Sequence, residues 1–304
     1  SLEDYDVYML LHAMIAFKKS DFDYYLRESL VETDANYAPL YSQEYAAYLA
    51  TAMAVNPDIM NAAVNNIDTP KGTYGSELIR YWNTVMVDGI GGAGKTAVIA
   101  KLIQNIVKKY YPDAEIWKVG PTKQQVDNLV SSLGSEGKAF TIEDLMSHVL
   151  GESNYAELSN DILHNNKESK QFTIEELGPI TSPGGTVMES YRAAIINEDI
   201  EYNDVQTPRL VFIDEATWVN SLYMQHLSNW AHKNNVTIVP LGDLNQNGYE
   251  NPTISVYNVK SSESLMVRTP KLDISLRITN TQQNDNNTTV NAALSVLTFT
   301  PEQM

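Results

Sequence analysis

The chain of 304 residues contains no cysteine. That absence excludes a disulfide framework, a thiolate zinc site and a cysteine nucleophile. Cations are scarce: 21 Lys and Arg stand against 38 Asp and Glu, a formal net charge of −17. A nucleic-acid binder usually carries a basic footprint, so any such contact here must be local. No apolar run approaches the length of a membrane span, and the N-terminus lacks a basic-then-apolar signal pattern. A soluble cytoplasmic protein with no membrane partner is the expectation. Apolar residues, by contrast, are plentiful. With 43% hydrophobic and 19% charged residues, the chain can build a sizeable core in one large domain or two ordinary ones. It begins with Ser rather than Met and ends abruptly, which sets the expectation of a fragment of something longer.

The stretch Gly89-Ile90-Gly91-Gly92-Ala93-Gly94-Lys95-Thr96 fits G-x-x-x-x-G-K-[ST], the phosphate-binding P-loop. A polyphosphate needs several backbone N–H groups turned inward, and glycines let the chain curl tightly enough to supply them. Lys95 can reach the terminal phosphates, and the Thr96 hydroxyl can bind Mg²⁺. Thr84-Val85-Met86-Val87 reads as a strand entering the loop. Ala97 to Ile103 leaves it with helical spacing, which aims a helix N-terminus at the anion.

Residues 1–80 read as a mainly helical accessory region, acidic between its apolar stripes. It is either a cap over the core or a surface for a protein partner. A helix starts near Ser42, a plausible cap, and Asn65 to Gly72 reads as a loop. Beyond the P-loop, Ala114 to Gly120 is a strand, with a helix starting near Thr122. Thr141 and Asp144 form a variant capping box. The polar stretch at about 151–205 reads as an insertion. Leu210 to Ile213 is a buried strand ending at Asp214-Glu215. Val236 to Leu241 is another, ending at Gly242-Asp243. Lys271 to Arg277 is a weaker strand-like run. The domain expected is therefore 81–280, with a polar tail or the start of a truncated second lobe at 281–304. Apolar strands alternating with helices imply an α/β fold: a mostly parallel sheet flanked by helices. Ligands of such sheets bind off the carboxyl ends of the strands, where the glycine loop, Asp214-Glu215 and Gly242-Asp243 all fall.

Triphosphate hydrolysis needs phosphates cradled, a metal held, a water aligned and charge neutralised. Asp214 can hold Mg²⁺, and Glu215, pointed elsewhere, can deprotonate the attacking water. Two acids at a strand tip also occur as a solvated turn, a reading that recedes beside a P-loop. Gln246 offers an amide to the terminal phosphate, or is a polar loop residue. Arg277 offers it positive charge, or makes a surface salt bridge.

In their order these motifs resemble the first RecA-like lobe of superfamily 1 helicases, most similar to the RecD-like 5′-to-3′ branch. Residues 89–96 resemble helicase motif I, and Gly120-Pro121-Thr122 looks like motif Ia. Ala139-Phe140-Thr141-Ile142 with Leu145 resembles the family's Thr-Ile-His segment, with Glu143 where histidine is usual. Asp214-Glu215-Ala216-Thr217 looks like motif II, Leu241-Gly242-Asp243 with Gln246 like motif III, and Leu276-Arg277 like motif IV. The resemblance implies a P-loop NTPase of RecA-like fold with ATP and Mg²⁺ as cofactors. Gly89, Gly91, Gly92, Ala93, Gly94, Lys95 and Thr96 would bind nucleotide, and Thr96 and Asp214 the metal. Lys95, Glu215, Gln246 and Arg277 would form the catalytic set. It also implies that Thr122 and Thr141 touch the backbone of a single strand. The family's adenine-reading glutamine would be Gln43, farther upstream than usual.

The function implied is the ATPase lobe of a DNA helicase or translocase, moving on single-stranded DNA rather than RNA. The sequence ends before room for the family's second lobe, so a lone lobe is expected to hydrolyse slowly and not to unwind a duplex unaided. Two alternatives stay open: an RNA helicase lobe of the related viral type, and a P-loop nucleotide-binding module that docks a protein partner.

Overall fold

The computed structural model describes residues 41–55, 81–177, 180–181, 187–188, 191–197, 199–244, 266–269 and 271–273. In chain order its elements are α1 (Tyr41–Val55), β1 (Tyr81–Asp88), a π-helical turn (Lys95–Ala100) running into α2 (Lys101–Tyr110), β2 (Ile116–Gly120), α3 (Lys123–Leu133) and β3 (Ala139–Thr141). Next come α4 (Ile142–Leu150), α5 (Glu152–Leu163), β4 (Phe172–Leu177), β5 (Ile180–Thr181), β6 (Val187–Met188) and β7 (Tyr191–Ile196). Then follow β8 (Leu210–Ile213), a 3-10 turn (Ala216–Trp218), α6 (Ser221–Lys233), β9 (Thr237–Gly242) and β10 (Met266–Arg268).

Among the described residues, six strands form one sheet in the order β10-β1-β9-β8-β2-β3. Each neighbouring pair is parallel. In β1, β2, β8 and β9 side chains alternate across the sheet, and both faces are buried. Val85, Val87, Leu210, Phe212, Val239 and Leu241 join a core shared with α1, α2 and α3. Met86, Trp117, Val119, Val211, Ile213 and Ile238 join a second core shared with α4 and α6. Burial on two faces is why these strands read as unbroken apolar runs. The result is the expected α/β fold, a parallel sheet flanked by helices.

Packing explains the helices. In α2, Leu102, Ile103, Ile106 and Val107 form the buried stripe, while Lys108 and Lys109 in the last turn complement the helix dipole. Small side chains at Ala46, Ala47, Ala50 and Ala54 are buried in α1 and let it lie close against the core. Its C-terminal carbonyls have partners: the Tyr111 hydroxyl donates to Val55 O at 3.0 Å, and Arg209 Nη1 donates to Ala54 O at 3.4 Å. Arg209 also lies 3.6 Å over the Tyr111 ring.

The structure differs from the sequence reading, or adds to it, at several points. Helix α1 already includes Tyr41, so Ser42 lies within it rather than capping it. The edge strand β3 appears where only a capping box is legible. The polar stretch after 151 contains α5 and two antiparallel pairs, β4–β7 and β5–β6. A strand not read from the sequence lies at Met266–Arg268; of the strand-like run expected at Lys271 to Arg277, Leu272 bridges Gly89 and residues 274–277 lie outside the described residues. Of the helical region expected at 1–80, residues 1–40 and 56–80, with the loop at Asn65 to Gly72, lie outside the described residues, as does the polar tail. Among the described residues no helix is long and apolar enough to cross a membrane.

Candidate functional site

β1 delivers the chain to the carboxyl edge of the sheet, and the loop is pinned there before it curls. Gly89 N donates to Gly242 O at 3.0 Å, and Ile90 N donates to Leu272 O at 3.0 Å. Gly92 and Gly94 follow at φ 80° and 81°, a left-handed backbone that side chains resist. A Cβ on Gly94 would also lie 2.8 Å from Gln43 Nε2 and 3.0 Å from Val98 Cγ2. Val98 N and Ile99 N both donate to Gly94 O at 3.0 Å, which opens the helix on a wide π turn. Thr96 is half-buried in that turn. Gly91 is exposed and Ala93 is buried.

The Lys95 ammonium folds back onto the loop, donating to Gly89 O at 2.6 Å and Ile90 O at 2.9 Å. Burial pulls its pKa below the usual lysine range. Four carboxylates oppose that shift, Asp243 most strongly, then Glu215, Asp214 and Asp88. The place of Asp243 ahead of the Asp214-Glu215 pair agrees with the sheet order. β9 lies between β1 and β8, so Asp243 at its end stands between the P-loop and the Asp214-Glu215 pair.

Burial raises the Asp214 pKa and the Glu215 charge adds to the rise, while a hydrogen bond from the Glu215 backbone and the Lys95 charge pull it down. Asp214 N donates to Val119 O at 2.8 Å, fixing the strand tip. Glu215 then adopts φ 46°, ψ 46°, a left-handed conformation uncommon for a side chain of its size. Such strain, on the order of 1 kcal/mol or more, gathers at functional positions.

Gln43 is buried in α1, and its Nε2 donates to Ala93 O at 2.9 Å, so the upstream glutamine sits against the phosphate loop. Thr122 and Thr141 are the N-cap residues of α3 and α4. They fall near one another because Gly120 and Thr141 are register partners in β2 and β3. The Thr122 hydroxyl donates to Gln125 Oε1. The Thr141 hydroxyl accepts from Asp144 N at 3.2 Å, the expected capping contact. Gln246 and Arg277 lie outside the described residues.

Sequence reasoning assigns no role to three residues here. Asp88 Oδ1 accepts from Leu244 N at 3.0 Å, joining the ends of β1 and β9. Asp243 is paired with Lys271, Nζ to Oδ1 2.8 Å. The signals for Asp243 are its place at the carboxyl end of a buried strand and its match to the motif III pattern; Lys271 has none. A hydroxyl from Thr96 and a carboxylate from Asp214 suit a magnesium ion that takes its remaining ligands from phosphate and water. The curled loop and the desolvated Lys95 suit a polyphosphate.

The family model described as AAA domain matches residues 78–292, more than two thirds of the chain. No curated protein matches it.

Proposed function

The chain belongs to the AAA domain family, a nucleotide-binding ATPase module of the P-loop type, and on that premise we propose that it is the ATPase lobe of a DNA helicase or translocase. ATP hydrolysis would drive its movement along single-stranded DNA. The observation that carries this reading is the gathering of the P-loop, Asp243 and Asp214-Glu215 at the carboxyl ends of the adjacent strands β1, β9 and β8, with Lys95 held on the loop carbonyls.

Lys95 exchanges two neutral carbonyls for the β- and γ-phosphates, where its charge-assisted bonds are stronger. Thr96 and Asp214 would hold a magnesium ion, which when bound would neutralise phosphate charge. Glu215 accepts the proton of the attacking water on its carboxylate. Burial of Lys95 and Asp214 lowers the local dielectric and strengthens each of these interactions. Gln43 stands beside the loop, in reach of a role in reading the base. Thr122 and Thr141 form a polar ledge at the β2–β3 end of the same edge, where the backbone of a strand would lie. The order of these parts along the chain supports the helicase reading over other P-loop enzymes.

Steady-state hydrolysis should be measured with magnesium alone, with single-stranded DNA and with RNA of the same sequence. The expected result is a slow basal rate raised by DNA. Equal stimulation by RNA would move the substrate to RNA, since only the 2′-hydroxyl separates the two at a given site. A rate indifferent to both would leave an ATPase and remove the motor.

A further inference from the structure

The carboxylate that acts most strongly on the P-loop lysine is already engaged elsewhere. Asp243 is 7% exposed at the end of β9, and Lys271 Nζ lies 2.8 Å from its Oδ1. The Lys271 backbone is set by its neighbours. Leu272 N donates to Asp88 O at 2.9 Å, Leu272 O accepts from Ile90 N at 3.0 Å, and Thr269 N donates to Met86 O at 2.9 Å. Thr269 and Leu272 are thus laid along the end of β1 and against the phosphate loop, and Lys271 presents its ammonium to Asp243. Among the described residues, Lys95 hydrogen-bonds the neutral carbonyls of Gly89 and Ile90 rather than a carboxylate.

A buried carboxylate beside an ammonium has two effects on a polyphosphate site. It competes with phosphate for the ammonium, and it repels the phosphate. Both grow as the local dielectric falls. A second ammonium bonded to the carboxylate cancels most of each. We propose that Lys271 is a positioning residue of the nucleotide site: by pairing with Asp243 it keeps that carboxylate from capturing Lys95 and from repelling the triphosphate. This inference rests on the nucleotide-binding reading given above.

Calorimetric titration of Mg-ATP into the full chain tests it with Lys271→Met, Lys271→Arg and the double variant Lys271→Met/Asp243→Asn. Lys271→Met should bind about tenfold or more weakly. Lys271→Arg, which keeps the charge, should stay within about threefold of the parent. The double variant should regain most of the loss, because no carboxylate remains to compete. An ion pair that merely supports the fold would lower the thermal midpoint of Lys271→Met and leave its affinity unchanged, and that result would overturn the proposal. So would a double variant as weak as the single one. Should Lys271→Met fail to fold, Asp243→Asn alone decides: it should bind at least as tightly as the parent, and weaker binding rejects the idea. A parent chain that binds no Mg-ATP would defeat the proposed function itself. A parent that binds, with Lys271→Met unchanged, defeats only this inference.

Discussion

Lys95 and Glu215 each occupy a state with a cost: burial for the lysine, a left-handed backbone for the glutamate. The Lys95 ammonium is buried at a cost to its charge and rests on two carbonyls that phosphate oxygens can replace. Lys95→Ala should therefore weaken Mg-nucleotide binding by about tenfold or more. An unchanged dissociation constant by calorimetry would contradict the assignment. Glu215→Gln keeps the shape but cannot accept a proton, so nucleotide affinity should hold while turnover falls by about 100-fold or more. The backbone gives Glu215 a second signature. At φ 46° a Cβ is strained, so Glu215→Gly should be more stable than Glu215→Ala, the reverse of the usual order in ordinary backbone. Thermal midpoints of the two inactive variants decide it; an Ala variant at or above the Gly variant would show that the strain is not held in solution.

At the scale of elements, legibility followed burial. β1, β2, β8 and β9 are covered on both faces, so each reads as an apolar run. β3 has three residues with Ala139 exposed, and no period can be read from it. In α5 only Leu158 and Asp161 are buried, too little for a stripe. The β4–β7 ribbon is held from far away: Gln225 in α6 accepts from Ile196 N at 3.1 Å and donates to Ala194 O at 2.9 Å. The P-loop and the Thr141 cap were readable because their contacts are local in sequence. The Asp243–Lys271 pair was not, because only the placing of β10 beside β1 brings Lys271 to the end of β9.

One residue within α6 links packing to pH. Burial pushes the His226 pKa from 6.5 down to about 3, so the imidazole is neutral in the fold, with its Nδ1 3.2 Å from the Tyr202 hydroxyl. Between those values the unfolded chain takes a proton that the folded chain refuses. The stability due to this group is therefore complete above about pH 6.5 and is lost as pH falls toward 3, at up to about 1.4 kcal/mol per pH unit. The thermal midpoint of the parent should fall more steeply from neutral to acid pH than that of His226→Leu. Parallel curves would mean that His226 protonates in the folded state.

The whole molecule poses an electrostatic problem for the proposed strand. The net charge is −17, and the exposed acids Glu143 and Asp144 flank the Thr141 cap. The exposed cations nearest the Thr122–Thr141 ledge in sequence are Lys123 and Lys138, the latter 5.5 Å over the Trp117 ring. Single-strand binding loses about 0.7 in log affinity per log of salt for each phosphate neutralised, so two lysines give a slope of about −1.4. Strand binding should thus be weak and only shallowly salt-dependent, with much of its strength left to polar contacts at the ledge. Fluorescence anisotropy of a labelled oligonucleotide across a potassium chloride series would measure the slope. Lys123→Ala together with Lys138→Ala should flatten it toward zero. A slope of about −5 or steeper, surviving in that double variant, would mean that the strand is held by a basic surface elsewhere and not at the β2–β3 end of the sheet.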